Sequence, residues 1–435
     1  MIRARRRPAR LPLLLMLLAA AAAMPARIWI RFGPFESFSI LDVIIIAGAA
    51  VLAVRAAVRG ELDLGDSVTA MLLAVPFGAA LLSLLWTTDF DQTIKTCLIF
   101  GESLTGYLLV VALLGRKPPR VIVSFGAFFL LLAVMVAMLS LLHVPGFRPN
   151  IPPGYAETPD YVDFVRSYYS RLSHPSLGLS NDFATVTSFF TLFLFGWFVV
   201  SGDRRSFWFA ILGTVATLLT LSRGAIAALI VGALLFMMRL PIRKAILQGA
   251  MAVTLTAAAG SAFVMLNPSA REMIAGRAST ANVWARVEMA GVVVSEIRAK
   301  PLLGYGAGVQ TALRGSAHDT YLEQVFYYGV PLGLLVDSAL LGISFRFFFW
   351  SSRHRRVRLL AAAIGSAVVV DLLIFAGETS FEATLVRILF YSSMGLSVSL
   401  LRQYNSIGER LRVEQVPLSG AASRGPRFGL STPTR

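Results

Sequence analysis

The stretch Ser316-Ala317-His318-Asp319-Thr320-Tyr321-Leu322-Glu323 puts one of only four histidines at the end of a polar, arginine-bearing loop, directly before a long apolar run. Neutral imidazole takes up a proton near physiological pH, so His318 is a candidate general base; capping a helix or pairing with a carboxylate are the ordinary alternatives. Arg223, in Leu221-Ser222-Arg223-Gly224, lies between two apolar runs that predict a tight hairpin. An arginine at a helix end often only snorkels to the interface. Here Gly224 lets a ligand come close to the backbone, and ionisable groups beside a membrane are costly. Arg286, Arg171 and His174 are further candidates, with a solvated helix face as the default reading of Arg286. Guanidinium groups grip phosphate or carboxylate oxygens in pairs, so this set suits an anionic ligand. Asp89 and Asp91 form a D-x-D whose carboxylates would share one side of an extended segment and could hold a divalent cation. The pair has no nearby histidine or third carboxylate, and no metal site is expected. Zinc spacing, a Ser-His-Asp order and a phosphate loop are all missing from the sequence.

These residues sit in a chain that is 56% hydrophobic and 15% charged, with mean hydropathy +0.70. So much apolar surface cannot be hidden in a soluble domain of 435 residues. Continuous apolar windows of roughly 18–25 residues predict transmembrane helices rather than the alternating strands of a barrel. The predicted fold is all-α, with about twelve spans near 11–25, 38–54, 67–86, 94–114, 121–142, 182–201, 206–221, 224–238, 245–266, 321–345, 359–376 and 382–401. Residues 1–401 form one membrane domain, and 402–435 a basic tail expected to be disordered.

Arginine placement orients the spans. With the amino terminus inside, 26 of the 40 lysines and arginines fall on inside segments, and both termini are cytoplasmic. The net charge of +16 is thus a topological signal, matched to anionic lipid headgroups rather than to nucleic acid. The first apolar segment resembles a signal peptide but is read as an uncleaved span, because its removal would put the basic tail outside. The lone Cys97 lies within a span and can make no intrachain disulfide.

Two outside loops are long, about 143–181 and about 267–320. The first carries Arg171 and His174. In the second, Val287, Ala290, Gly291, Val294 and Ile297 recur at helical spacing, which predicts an interfacial amphipathic helix over 283–300. Pro301 ends it, and Leu303-Gly304-Tyr305-Gly306-Ala307-Gly308 reads as a flexible turn.

Taken in order, Thr220-Leu221-Ser222-Arg223-Gly224-Ala225, the stretch from Arg286 to Pro301-Leu302-Leu303-Gly304-Tyr305-Gly306, Ala317-His318-Asp319-Thr320-Tyr321-Leu322 and Tyr328-Gly329-Val330-Pro331-Leu332-Gly333 resemble the O-antigen ligase/polymerase family of bacterial envelope enzymes. Leu84-Leu85-Trp86-Thr87-Thr88-Asp89 looks like the segment that closes the family's third span, which gives Asp89 a role without a metal. One departure is Asp319, where members usually carry Asn. The resemblance spans most of 35–400. It implies transfer of a glycan from an undecaprenyl-diphosphate-type carrier to an acceptor hydroxyl, lipid A-core or another glycan, at the periplasmic face of the bacterial inner membrane. His318 would then be catalytic. Arg223 and Arg286, with Arg171 and His174, would bind substrate, and no cofactor is implied.

The chemistry of such a transfer agrees. Negative charge grows on the departing diphosphate, and fixed arginines can stabilise it in place of a metal. A single in-line displacement would invert the anomeric carbon. The carrier's apolar tail would lie in lipid, so the site would open sideways. Ligase and polymerase share these motifs. A flippase would bury charges along a path through the bundle, whereas here the spans are nearly free of charge apart from Asp42, Glu102, Asp337 and Asp371.

Overall fold

The computed structural model describes residues 27–28, 38–60, 62–147, 168–169, 171–175, 180–240, 265, 281–310, 319–376 and 384–414. Among them are eleven helices: α1 (Ile40–Arg59), α2 (Ser67–Ser83), α3 (Phe90–Leu114), α4 (Pro119–Leu141), α5 (Ser180–Ser201), α6 (Arg204–Leu219), α7 (Arg223–Met237), α8 (Ala281–Ala299), α9 (Thr320–Phe348), α10 (Arg355–Phe375) and α11 (Thr384–Glu414). Ten of them fall on ten of the twelve predicted spans. The other two, 11–25 and 245–266, lie outside the described residues apart from Met265. Seven helices, α1, α3, α4, α5, α9, α10 and α11, are long and apolar enough to cross a membrane. The only strands among the described residues are two antiparallel residue pairs, Arg27–Ile28 against Phe38–Ser39.

Polar residues at the loop edges decide where several helices begin. The side chains of Asp66, Asp89, Asp203, Ser222 and Asp319 accept N–H groups of the first turns of α2, α3, α6, α7 and α9. Each satisfies donors that a helix start leaves open. Inside the bundle, small residues set the spacing. Gly196 of α5 faces Ala363 of α10, Gly213 of α6 faces Thr191 of α5, and Gly232 of α7 faces Val370 of α10. An added Cβ would collide at each, as expected where helices in lipid associate by close packing. The main packed pairs are α3 with α11, and α5 with α10 and α6.

The bundle has two unlike ends. At one, Arg346 forks onto Asp66 at 2.9 and 2.6 Å, Arg402 meets Asp63 at 2.9 Å, and Gln403 donates to the Gly115 carbonyl. This end gathers segments that the charge pattern assigned to a common side. The tail expected to start at 402 instead continues as helix to Glu414, with Arg402 and Gln403 bonded into the bundle.

Asp66 ties α2 to α9 across this end. Burial would raise its pKa, but hydrogen bonds from Arg346 and Thr69 outweigh it and hold the carboxyl below its ordinary value of 3.8. A depressed folded pKa means that the stabilisation is complete above the unfolded value and is lost as pH falls through the folded one. Melting temperature measured from pH 6 down to pH 3 should therefore fall more steeply in the wild type than in Asp66→Asn. Parallel curves would show that the pair does not contribute.

Candidate active site

The opposite end, the loop end, collects the segments singled out in the sequence. The predicted hairpin is present: α6 stops at Leu219 and α7 starts at Arg223, with Leu221 at φ 53° turning the chain. Ser222 caps α7 by accepting the Ala225 N–H at 3.3 Å. Arg223 is exposed on the first turn, and the space beside Gly224 is open. A guanidinium next to a helix N-terminus combines two ways of attracting an anion.

Residues 171–175 dock onto this hairpin, with the Leu172 N–H donating to the Leu219 carbonyl at 2.8 Å. Arg171 and His174 are therefore buried, not displayed on an open loop: Arg171 is 5% exposed and His174 fully enclosed. The His174 ring lies 5.6 Å from Phe183 at the start of α5. Pro152, Pro153, Tyr155 and Tyr161 of this loop lie outside the described residues, whereas Tyr168 is buried with its hydroxyl 3.1 Å from Ser140 Oγ.

α9 departs most from expectation. It was read as one straight span, but Gly329 has φ 76° and ψ 169° and breaks it into two arms, 320–328 and 330–348. The arms fold back on each other. A Cβ on Gly333 would fall 2.6 Å from Val325 Cα, and both Tyr321 and Asp319 lie within electrostatic reach of Asp337. Tyr321 OH donates to the Leu372 carbonyl in the last turn of α10 at 2.9 Å. Asp319, at the tip of the first arm, accepts the N–H groups of Tyr321 and Leu322 at 3.0 and 3.2 Å. Asparagine caps a helix equally well, so the substitution of Asp for the usual Asn keeps the same local structure. His318 itself lies outside the described residues, one peptide before this cap.

The fold-back is held by the segment expected to be flexible. Tyr305 and Gly306 N–H groups bond to the Phe326 and Tyr327 carbonyls at 3.2 and 2.9 Å, and the Val330 N–H bonds to the Pro301 carbonyl at 2.7 Å. These are the backbone groups that a helix break leaves unsatisfied. The same segment binds the α2–α3 turn: the Thr88 N–H donates to Tyr305 O at 3.0 Å, and the Ala307 N–H to Ser83 Oγ at 3.1 Å. Glycines that suggest flexibility in sequence serve here to let backbones touch.

α8 occupies the predicted helix. Of the expected apolar stripe, Ile297 is buried, together with Val293 outside it, in an element that packs on α9, whereas Val287 and Val294 are exposed on the surface. Apolar residues thus lie on more than one face of the helix. Arg286 is exposed on it. Asp89 is the α3 cap, accepting the Gln92 N–H at 3.1 Å, which gives it a structural role.

A cluster of buried polar residues was missed by the sequence reading. Thr320, Glu323, Gln324 and Tyr328 line the short arm of α9, and Arg387 on α11 is 1% exposed with its guanidinium 4.1 Å from the Phe100 ring centre. Arg387 was visible as a lone charge in an apolar span, the ordinary signature of a functional group in a membrane.

Together these features define a multi-pass helical membrane protein whose loop end carries the candidate residue Arg223 with the buried Arg171 and His174 beside it. Residues 208–337, from within α6 to the second arm of α9, match the family model described as O-antigen ligase. The match falls on the part of the chain that holds most of the motifs resembling the O-antigen ligase/polymerase family, and so supports that resemblance. The matched range contains Arg223, Arg286, His318 and Gly329. No curated protein matches the chain.

Proposed function

We propose that the protein is an O-antigen ligase-like glycosyltransferase of the bacterial inner membrane. It moves a glycan from an undecaprenyl-diphosphate-type carrier to a hydroxyl of lipid A-core, with the loop end facing the periplasm. The observation that carries this reading is the docking of residues 171–175 on the Arg223 hairpin, at the same end of the bundle as the Asp319 cap next to His318. Arg223 and Arg286 hold the donor diphosphate, and Arg171 and His174 support the hairpin from beneath. His318 takes the proton from the acceptor hydroxyl as the oxygen attacks the anomeric carbon. The bond from that carbon to the diphosphate breaks on the opposite side, so configuration inverts. Fixed guanidinium charge meets the negative charge on the leaving group, and neither metal nor cofactor is required.

The test is transfer by purified protein in liposomes containing the carrier-linked glycan and lipid A-core, with EDTA present. Transfer should proceed. Arg223→Lys keeps the charge but loses the planar fork, and losing one charge-assisted bond of about 1.5–3 kcal/mol should slow transfer roughly ten- to hundredfold. Activity that disappears in EDTA and returns with Mg²⁺ or Mn²⁺ would overturn the metal-free mechanism. Extension of a carrier-linked repeat unit instead of lipid A-core would make the protein a polymerase.

A further inference from the structure

Away from the candidate active site, α1 is the least covered of the spanning helices, and an apolar chamber of about 420 Å³ lies between it and α3, α4 and α11. Its wall includes Ile45, Gly48, Leu109, Phe129 and Ser392. The volume falls within the roughly 300–1,000 Å³ of ligand pockets. Water gains little from so apolar a space, whereas a hydrocarbon chain fills it without desolvation cost. The chamber has an outlet. Val51 belongs both to its wall and to a shallow groove formed by Ala50, Val54, Arg55 and Val58 of the same helix. Residues 41, 44, 45, 48, 51, 55 and 58 recur at helical spacing, so chamber and groove follow one stripe of α1 that ends at an exposed guanidinium.

We propose that this stripe is a binding site for an anionic glycerophospholipid of the surrounding membrane, with its phosphate at Arg55 and one acyl chain running along Val51 into the chamber. The length fits. Ten helical residues from Arg55 to Ile45 span about 15 Å, and one leaflet of a bilayer contributes about 15 Å of hydrocarbon. The charge fits as well. Arg55 lies toward the arginine-rich end, where Arg116 and Arg120 are also exposed. Asp63, in the loop after α1, interacts electrostatically with Arg116, which places the α3–α4 turn beside the end of α1. The site is independent of the transferase reading, since none of its residues belongs to the loop-end cluster.

The experiment uses the full chain in nanodiscs doped with phosphatidylglycerol or phosphatidylcholine, each carrying the same photoactivatable acyl chain, followed by peptide mapping of the cross-links. Phosphatidylglycerol should label α1 between 41 and 58 and α3 between 106 and 114 in preference to phosphatidylcholine. Arg55→Gln should reduce that preference roughly fivefold. Ala47→Phe, which adds bulk at the chamber wall, should reduce labelling by both lipids, with melting temperatures checking that each variant is folded. Equal labelling of wild type by the two lipids overturns the headgroup assignment. Cross-links confined to other helices, as expected if residues 11–25 of this chain occupy the chamber, overturn the site. Preferential labelling by a photoactivatable polyprenyl diphosphate would overturn the phospholipid as occupant.

Discussion

His318→Ala is expected to lower glycan turnover roughly 10²–10⁴-fold while leaving carrier binding nearly unchanged, because a general base acts in the transition state and not on the bound donor. The cap at Asp319 sharpens this expectation. Asp319 fixes the first turn of α9 through two backbone N–H groups, and so fixes the direction from which the chain reaches His318. Asp319→Asn should behave almost as wild type, since asparagine caps as well. Asp319→Ala should cost about 1 kcal/mol of local stability and reduce transfer less than loss of the imidazole. Single-turnover transfer and carrier binding, measured on the purified variants, separate the two roles. Transfer by His318→Ala at near wild-type rate would remove the histidine from the chemistry.

Gly329→Ala should be among the most damaging glycine substitutions within the described residues. At φ 76° and ψ 169° an alanine is strained by about 1–3 kcal/mol before any contact is considered. Its Cβ would also strike Leu302 and come within 2.7 Å of Leu303 N, forcing the bonded segment away from the break. Separation of the two arms would displace Asp319 from Asp337 and Tyr321 from Leu372. A clear drop in melting temperature and loss of transfer are expected. Gly78→Ala, in open space within α2, serves as the control and should change neither. If Gly329→Ala melts and transfers like wild type, the fold-back is not needed for function.

The legible parts of this fold were those written in continuous runs. An apolar window long enough to cross a bilayer leaves little choice: helices occupy ten of the predicted spans, seven of them long and apolar enough to cross a membrane, and the α6–α7 hairpin and the helix before Pro301 also occur where the chain suggested. What escaped was set by contacts between distant segments. Nothing local to Gly329 reveals that Pro301 supplies an acceptor for Val330, so 321–345 read as a straight span. Leu303–Gly308 read as flexible for the same reason. α8 has apolar residues on more than one face, and the burial of Val293 beside Ile297 comes from packing on α9 that its own spacing does not show. The candidate site was legible in residue type and less so in placement. Arg223 lies exposed at the start of a helix, but the burial of Arg171 and His174 goes with the docking of residues 171–175 on distant segments, among them Leu219 and Phe183. Arg387 escaped because one charge changes the mean hydropathy of a span very little.

The doubled-back arm of α9 bears on the competition between acceptor and solvent. Asp319 lies beside Asp337, about seven residues, or roughly 10 Å of helix, below the point where the second arm begins. Asp319 at that tip is only partly exposed. Hydrolysis of an activated glycan is the wasteful alternative to every transfer. Under the proposed function, chemistry carried out next to this packed tip would favour a hydroxyl delivered on a long, flexible acceptor over the far more abundant hydroxyl of the solvent.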